Sequence, residues 1–300
     1  MSARLVIRRA GPLTTIQDEG RFGMLRHGVS ASGPMDRGAF ASAAHTLGRA
    51  GPAGIEFTST GIEVEVVAGQ CSTGFAGGAF AARLGGRQVE WPGAVPLHEG
   101  EVLAINPGRA GNFGYLRFDK TIDVPPVLGS RATNLRAGIG GLEGRALRAG
   151  DSLELIESED ADPDGSRVST GAGAIRFIWG LHAEVFPPAV RERFLSENFR
   201  ITARMDRMGV WLDDPGGVFR GASGLSLVSD AVVAGDIQIV GDGTPVVLMR
   251  DHQPTGGYPR IGTIIAADLD RFAQMRPGTH VRFESVSLAH ARSLTAERSV

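Results

Sequence analysis

Short apolar runs closed within a few residues by glycine or proline recur along this chain. Such punctuation leaves little length for long helices and suits strands joined by tight turns. Forty-three glycines and sixteen prolines are spread through 300 residues rather than gathered in one tract. The expected class is a turn-rich, mainly β protein. At roughly 100 to 200 residues per domain, the length predicts two domains with separate cores. The acidic stretch from Glu157 to Ser166, followed by Gly171-Ala172-Gly173, has no large apolar residue and reads as a linker. The domains are therefore expected at 1–157 and 174–300, with the linker at 158–173.

Alternation is clearest at Ile62-Glu63-Val64-Glu65-Val66. Further strands are predicted at Leu5 to Arg8, Glu101 to Ile105, Tyr115 to Phe118, Leu153 to Ile156, Ile175 to Trp179, Asp236 to Val240, Pro245 to Arg250 and His280 to Phe283. A helix is predicted from Pro34 to Leu47, where Met35, Ala39, Ala43 and Leu47 recur every fourth residue and Gly48 follows. Shorter helices are expected near Pro188 to Ser196 and Asp268 to Met275, and Leu288, Ala291 and Leu294 suggest a terminal helix or a frayed tail.

Several chemistries are disfavoured by what the sequence lacks. A net charge of −2 gives no field to gather nucleic acid or an anionic membrane. Lys120 is the only lysine, and no glycine loop precedes it. The glycine runs 108–114 and 138–144 do not open helices after strands, so tight turns explain them better than a nucleotide cradle. No histidine pair has helical metal spacing, so no metal site is expected. Cys71, among small uncharged neighbours, reads as a buried structural thiol rather than a nucleophile. A lone cysteine, an N-terminus without the apolar region of a signal peptide, and no run near the eighteen or so apolar residues of a membrane span fit a cytoplasmic protein.

The most informative stretch is Val246-Val247-Leu248-Met249-Arg250-Asp251-His252-Gln253-Pro254-Thr255-Gly256-Gly257-Tyr258. An apolar strand there runs into a carboxylate, an imidazole and an amide. Strand alternation would put Val247, Met249, Asp251 and Gln253 on one side and Leu248, Arg250 and His252 on the other. The glycine pair would let backbone and ligand approach closely. A binding rim and a strand end with a polar turn explain the stretch equally well. Its position predicts a partly exposed Asp251 carboxylate, so Asp251→Asn should cost no more than about 1 kcal/mol if no buried pair is broken. Gln17-Asp18-Glu19-Gly20-Arg21 and Asp206-Arg207-Met208-Gly209 are similar polar clusters beside glycine, each readable as an internal ion network or as a site. Asp206 and Arg207 are expected to pair across a turn or bulge. Together with Gln238, between Ile237 and Ile239, these groups suggest convergent hydrogen bonding to a small polar substrate.

Four segments in order carry a family likeness: Gly11 to Arg21, Arg136 to Arg145, Asp206 to Gly209, and Asp251 to Tyr258. From about Leu5 to Phe283 the chain resembles the allophanate hydrolase subunit 2, or biotin-dependent carboxyltransferase, family, which includes the C subunit of 5-oxoprolinase and KipA-like regulators. It departs from the family's pattern at Ala44, Arg49, His182, Arg204, Met205 and Trp211. The resemblance implies two cyclophilin-like β-barrel domains with a few short helices, and a subunit 1 (KipI-like) partner that completes a composite site. A third LamB/YcsF-type 5-oxoprolinase subunit is a further implied partner.

The leading expectation is a subunit of a 5-oxoprolinase-type complex that hydrolyses 5-oxoproline to glutamate with ATP and is inactive without its partner. Asp251 and Asp206 would handle hydrogen bonds or protons, and Arg207 would hold a carboxylate or phosphorylated intermediate. Gln17, Gln238 and Gln253 would orient the amide, with Asp18, His252, Gly256, Gly257 and Tyr258 lining the substrate. The alternatives are a urea carboxylase-type carboxyltransferase using biotin on a separate carrier, and a non-catalytic regulator that binds a kinase inhibitor.

Overall fold

The computed structural model describes residues 2–157, 173–221 and 225–296. The chain divides into two compact units, Met1–Gly23 with Ala31–Val168, and Met24–Ser30 with Ser169–Val300. All of the expected linker but Gly173 lies outside the described residues.

The first unit is a nine-stranded sheet of β1 (Ala3–Ala10), β2 (Thr15–Gln17), β3 (Gly54–Thr58), β4 (Ile62–Leu84), β5 (Arg87–Val89), β6 (Gly93–His98), β7 (Val102–Phe118), β8 (Thr121–Ile122) and β9 (Ser152–Ile156). In β1 the period of two is visible directly: Leu5 and Ile7 are buried while Arg4 and Arg8 face out, Arg8 pairing with Glu65 of β4. β4 runs 23 residues and pairs with β7 twice, Ile62 and Ala82 both opposing Ile105, so the sheet curls around that segment. The two strands expected at 101–105 and 115–118 are one continuous β7. Glycines 108–114 therefore do not make tight turns. A Cβ on Gly108 would sit 1.3 Å from the Ala79 carbonyl oxygen, so glycine here serves the close crossing of β7 and β4. The run 138–144 does turn, with positive φ at Gly138, Gly140, Gly141 and Gly144. Helix α1 (Arg37–His45) starts three residues after Pro34, because the Asp36 carboxylate caps it by accepting the Ala39 N–H at 2.9 Å.

The second unit holds β10 (Ile175–Trp179), α2 (Pro188–Ser196), β11 (Phe199–Met205), β12 (Gly209–Asp213), β13 (Asp230–Ala231), β14 (Asp236–Ile239), β15 (Pro245–Leu248), β16 (Thr255–Gly256), β17 (Arg260–Ile264), α3 (Ala266–Ala273), β18 (His280–Val281), β19 (Phe283–Ser285) and α4 (Leu288–Ala296). Its main sheet has the order β18-β11-β12-β15-β14-β17-β10-β19. Only Arg282 separates its two edge strands, so the sheet nearly closes into a barrel. Phe177, Phe194, Phe199, Phe219 and Phe283 fill this core, Phe194 of α2 stacking on Phe283 with ring centroids 5.1 Å apart. Asp268 anchors α3 to β10 by accepting the Arg176 backbone N–H at 2.8 Å and its guanidinium at 2.6 and 3.0 Å. β13 and β16 form a small separate ladder. The mainly β, barrel-type architecture expected from the sequence is what the chain adopts.

Candidate functional site

In the second unit the apolar strand ends earlier than its composition implies. β15 stops at Leu248, and Met249, Arg250 and Asp251 belong to a turn. The face-by-face alternation predicted through Gln253 therefore does not continue past Leu248. The Asp251 N–H donates to the Arg207 carbonyl at 2.7 Å, and the Met249 N–H to that of Met208 at 2.9 Å. These bonds bring the segment after β15 alongside the turn before β12.

Across that junction Arg207 donates to Asp251 through Nε at 2.8 Å and through Nη2 at 3.0 Å, a bidentate fork. Both side chains are only 2% exposed. Two sequence expectations are corrected here. Asp251 is not partly exposed, because its carboxylate closes on a buried guanidinium. Nor does Asp206 pair with Arg207: its Oδ1 accepts the N–H groups of Met208 and Gly209 at 2.7 and 3.0 Å. Asp206 thus caps the turn into β12, and adjacency in sequence gives way to an ion pair across 44 residues.

The next residues form a layered rim. The buried His252 ring meets the Gln253 carbonyl oxygen through Nδ1 at 2.7 Å. A carbonyl can only accept, so Nδ1 carries the proton and Nε2 is the open acceptor. Burial lowers the His252 pKa from its ordinary value, favouring the neutral ring. β13 covers β16, with the Leu227 N–H on the Gly257 carbonyl at 2.7 Å. Arg260 secures this cover by donating to the Ala231 carbonyl at 2.7 Å and to the Asp230 carboxylate, with Asp236 at 3.5 Å. His182 Nδ1 lies 3.4 Å from both the backbone nitrogen and Nε of Arg260.

Beneath the cover lies Gln238, 2% exposed, whose Nε2 has no hydrogen-bond partner among the described residues. A Cβ on Gly256 would sit 2.3 Å from that nitrogen. The glycine is needed for this close packing, so it is the chain's own amide that approaches it. Tyr258 is exposed at the edge. An unsatisfied buried amide costs free energy of order 1 to 3 kcal/mol, and a carbonyl oxygen reaching it would relieve that cost.

The candidates in the first unit have a different character. Gln17 is fully buried: Nε2 donates to Thr15 Oγ1 at 2.9 Å and the Thr133 carbonyl at 3.1 Å, and Oε1 accepts the Gly33 N–H at 3.1 Å. Asp18 accepts from the Gly20 N–H at 2.9 Å, the Ser130 hydroxyl at 2.6 Å and the Arg131 N–H. These groups join distant loops of one unit.

The sequence reading missed a buried polar layer nearby. Glu56 Oε2 accepts the Met35 N–H at 2.7 Å and the Tyr115 hydroxyl at 2.9 Å, while Tyr115 accepts the Asp36 N–H at 2.8 Å. Burial, then the Glu56 charge, raises the Tyr115 pKa well above its ordinary value, keeping it a donor. The available signal was a carboxylate between two large apolar residues, Ile55 and Phe57. Arg260 and Asp236 were also missed, being strand-end residues without a motif. Cys71 is buried, and desolvation pushes its thiol up to about 12, as befits an unreactive core residue.

The described residues include no group of three or more His, Cys, Asp or Glu placed to hold a metal ion. No helix among them is long and apolar enough to cross a membrane.

Residues 27–285 match the family described as carboxyltransferase domain, subdomain A and B. The chain is 35% identical over 293 residues to the C subunit of 5-oxoprolinase from Escherichia coli strain K12, covering 96% of this chain and 93% of that one. It is 31% identical over 318 residues to urea amidolyase of Saccharomyces cerevisiae, covering 97% of this chain but 17% of the yeast protein. The crystal structure of Kluyveromyces lactis urea amidolyase superimposes with a TM-score of 0.89 at 26% identity, over 98% of this chain and 19% of that one.

Proposed function

Because this chain belongs to the carboxyltransferase domain, subdomain A and B, family, we propose that it is the C subunit of a 5-oxoprolinase-type complex, hydrolysing the lactam of 5-oxoproline to glutamate. The observation that carries this reading is the correspondence with the C subunit of Escherichia coli 5-oxoprolinase along nearly the full length of both chains. In the reaction water adds across the lactam C–N bond, and the ring nitrogen becomes the amine of glutamate.

The rim of the second unit supplies groups suited to a small amide. Gln238 Nε2, lacking a partner, would donate to the lactam carbonyl. His252 Nε2, Gln253 and the exposed Tyr258 would meet the ring N–H and carboxylate. Asp251 and Arg207 form a buried bidentate pair, so their proposed part is to hold the turn presenting His252 and Gln253 rather than to touch substrate. Asp206 does the same for the turn before β12. Gln17 and Asp18 would shape loops of the first unit.

ATP does not fit the residues of this chain. Its only lysine, Lys120, is buried beside Glu157 at 3.4 Å, and the glycine turns at 138–144 open no helix. A subunit 1 (KipI-like) partner and a LamB/YcsF-type third subunit are proposed to bring the nucleotide site. The same buried Lys120 is unsuited to carry biotin, so carboxybiotin would come from a separate carrier in the second reading, a urea-type carboxyltransferase. That reading is favoured by the superposition on the urea amidolyase structure.

The test is co-expression with the two partner subunits, purification of the complex, and assay of glutamate release from 5-oxoproline with ATP against carboxyl transfer from carboxybiotin to urea. Glutamate release dependent on this chain is expected. A complex active only on urea would establish the second reading, and failure to co-purify would remove the hetero-oligomer from both.

A further inference from the structure

The two strands that carry the Arg207–Asp251 junction end, at their other extremity, in a cavity. β12 starts at Gly209 opposite Leu248 and runs to Asp213. At about 3.3 Å per residue its far end is about 13 Å from the junction. A cavity of about 480 Å³ opens there, with Arg204, Trp211, Asp214, Arg220 and Asp242 in its lining. That volume falls in the range of small-molecule sites.

The lining carries two arginines, Arg204 and Arg220, and three aspartates, Asp213, Asp214 and Asp242. Asp213, also in the wall, is taken by Arg200. Asp242 accepts the Thr244 N–H at 2.9 Å, and this backbone bond, then the Thr244 hydroxyl, together with the nearby Arg204 charge, lowers its pKa. Asp214 accepts the Phe219 N–H at 3.0 Å through Oδ2; its Oδ1 is buried and has no hydrogen-bond partner among the described residues.

Neither Arg204 nor Arg220 forms an ion pair among the described residues, although Arg200 and Arg207 beside them do. Arg204 lies over the Trp211 ring, 4.3 Å from its centroid. Stacking uses the face of the guanidinium and leaves its N–H edge for an acceptor. The lining therefore offers Arg220, the N–H edge of Arg204, whose charge also acts on Asp242, and one carboxylate oxygen lacking a donor among the described residues.

A simple anion such as phosphate would meet the arginines but leave Asp214 Oδ1 bare and face its repulsion. A dicarboxylate without an amine would do the same. We propose that this cavity binds an acidic amino acid, its two carboxylates on Arg204 and Arg220 and its ammonium on Asp214 Oδ1, as a ligand site whose lining shares no residue with the rim around Gln238. The proposal stands whether or not the chain acts on 5-oxoproline.

Isothermal titration calorimetry of the full chain tests it, with L-glutamate and L-aspartate as probes and glutarate and inorganic phosphate as comparators. Saturable binding of at least one amino acid is expected, with glutarate and phosphate weaker by about tenfold or more, since each lost charge-assisted hydrogen bond is worth about that factor. Arg204→Gln and Arg220→Gln should each weaken the amino acid by about tenfold. Asp214→Asn should bring it down to the affinity of glutarate. Circular dichroism checks that the variants, all at incompletely buried positions, keep the fold. Absence of binding by both amino acids would overturn the proposal. So would equal binding of glutarate, or amino-acid binding that survives both arginine substitutions, which would place the ligand elsewhere.

Discussion

Two buried glutamines, one in each unit, have opposite environments. Gln17 in the first unit has its amide nitrogen and oxygen engaged by Thr15, Thr133 and Gly33. Gln238 in the second is as deeply buried, yet its nitrogen meets no acceptor under Gly256. A satisfied buried amide ties segments together and gains nothing from a ligand. An orphaned one carries a penalty that a ligand can relieve. The contrast extends to the carboxylates: Asp18 is held by several neutral donors, whereas Asp251 is held by a single buried cation.

The sharpest test of that contrast removes the cation. Arg207→Ala leaves Asp251 charged and unpaired in the interior, at an expected cost of about 3 to 5 kcal/mol. Asp251→Asn should cost about 3 kcal/mol by removing the buried counter-charge of the guanidinium, well above the roughly 1 kcal/mol expected of an exposed carboxylate. Asp206→Asn keeps the oxygen that caps the turn and should cost less than about 1 kcal/mol. Urea unfolding followed by tryptophan fluorescence measures all three, with Trp179 and Trp211 reporting on the second unit. Equal losses in Asp206→Asn and Asp251→Asn would mean that the buried pair has no special weight.

The glutamines themselves come next. Gln17→Leu should destabilise the first unit by about 2 to 3 kcal/mol, because it removes the buried bonds to Thr15, Gly33 and Thr133. Its readout is the fluorescence of Trp91, the one tryptophan in that unit. Gln238→Leu removes a donor that has no partner, so the second unit should keep its stability or gain up to about 1 kcal/mol. The same variant should lower turnover of the assembled complex if Gln238 meets the substrate. Matching losses at the two positions would erase the distinction between them.

Much of the architecture was legible because it rests on local pattern. Glycine and proline punctuation gave the β class, the alternation at Ile62 to Val66 lies in a strand, and α2 spans Pro188–Ser196 as read. The failures share a cause, a partner far away in sequence. Gly108 reads locally as a turn residue, yet the demand for glycine comes from the Ala79 carbonyl of another strand. Asp251 and Arg207 both stood out, but Arg207's neighbour Asp206 looked like the better partner until the chain brought residue 251 across. Glu56 and Tyr115 meet at 2.9 Å from two strands, and neither strand announces the other. Segments marked by glycine beside polar groups were found, whereas whether each group is satisfied depends on tertiary partners.

The smallest expected effect concerns His252, which joins the unsatisfied rim of the second unit. Burial lowers its pKa below the ordinary value of 6.5, with the Gln253 carbonyl and nearby Asp236 and Asp251 opposing the shift. Between the folded and unfolded values the unfolded chain binds more protons, so the stability owed to a neutral His252 is complete above about pH 6.5 and declines as the pH falls toward the lower folded value. The urea midpoint of the second unit should therefore drop on acidification through about pH 6, and His252→Gln should flatten part of that slope by removing the titrating ring. Trp91 fluorescence should show no matching change from this substitution, since the residue lies in the other unit. A slope unchanged in His252→Gln would assign the pH dependence to other groups, and a slope of the opposite sign would mean that the buried ring is held in its protonated form.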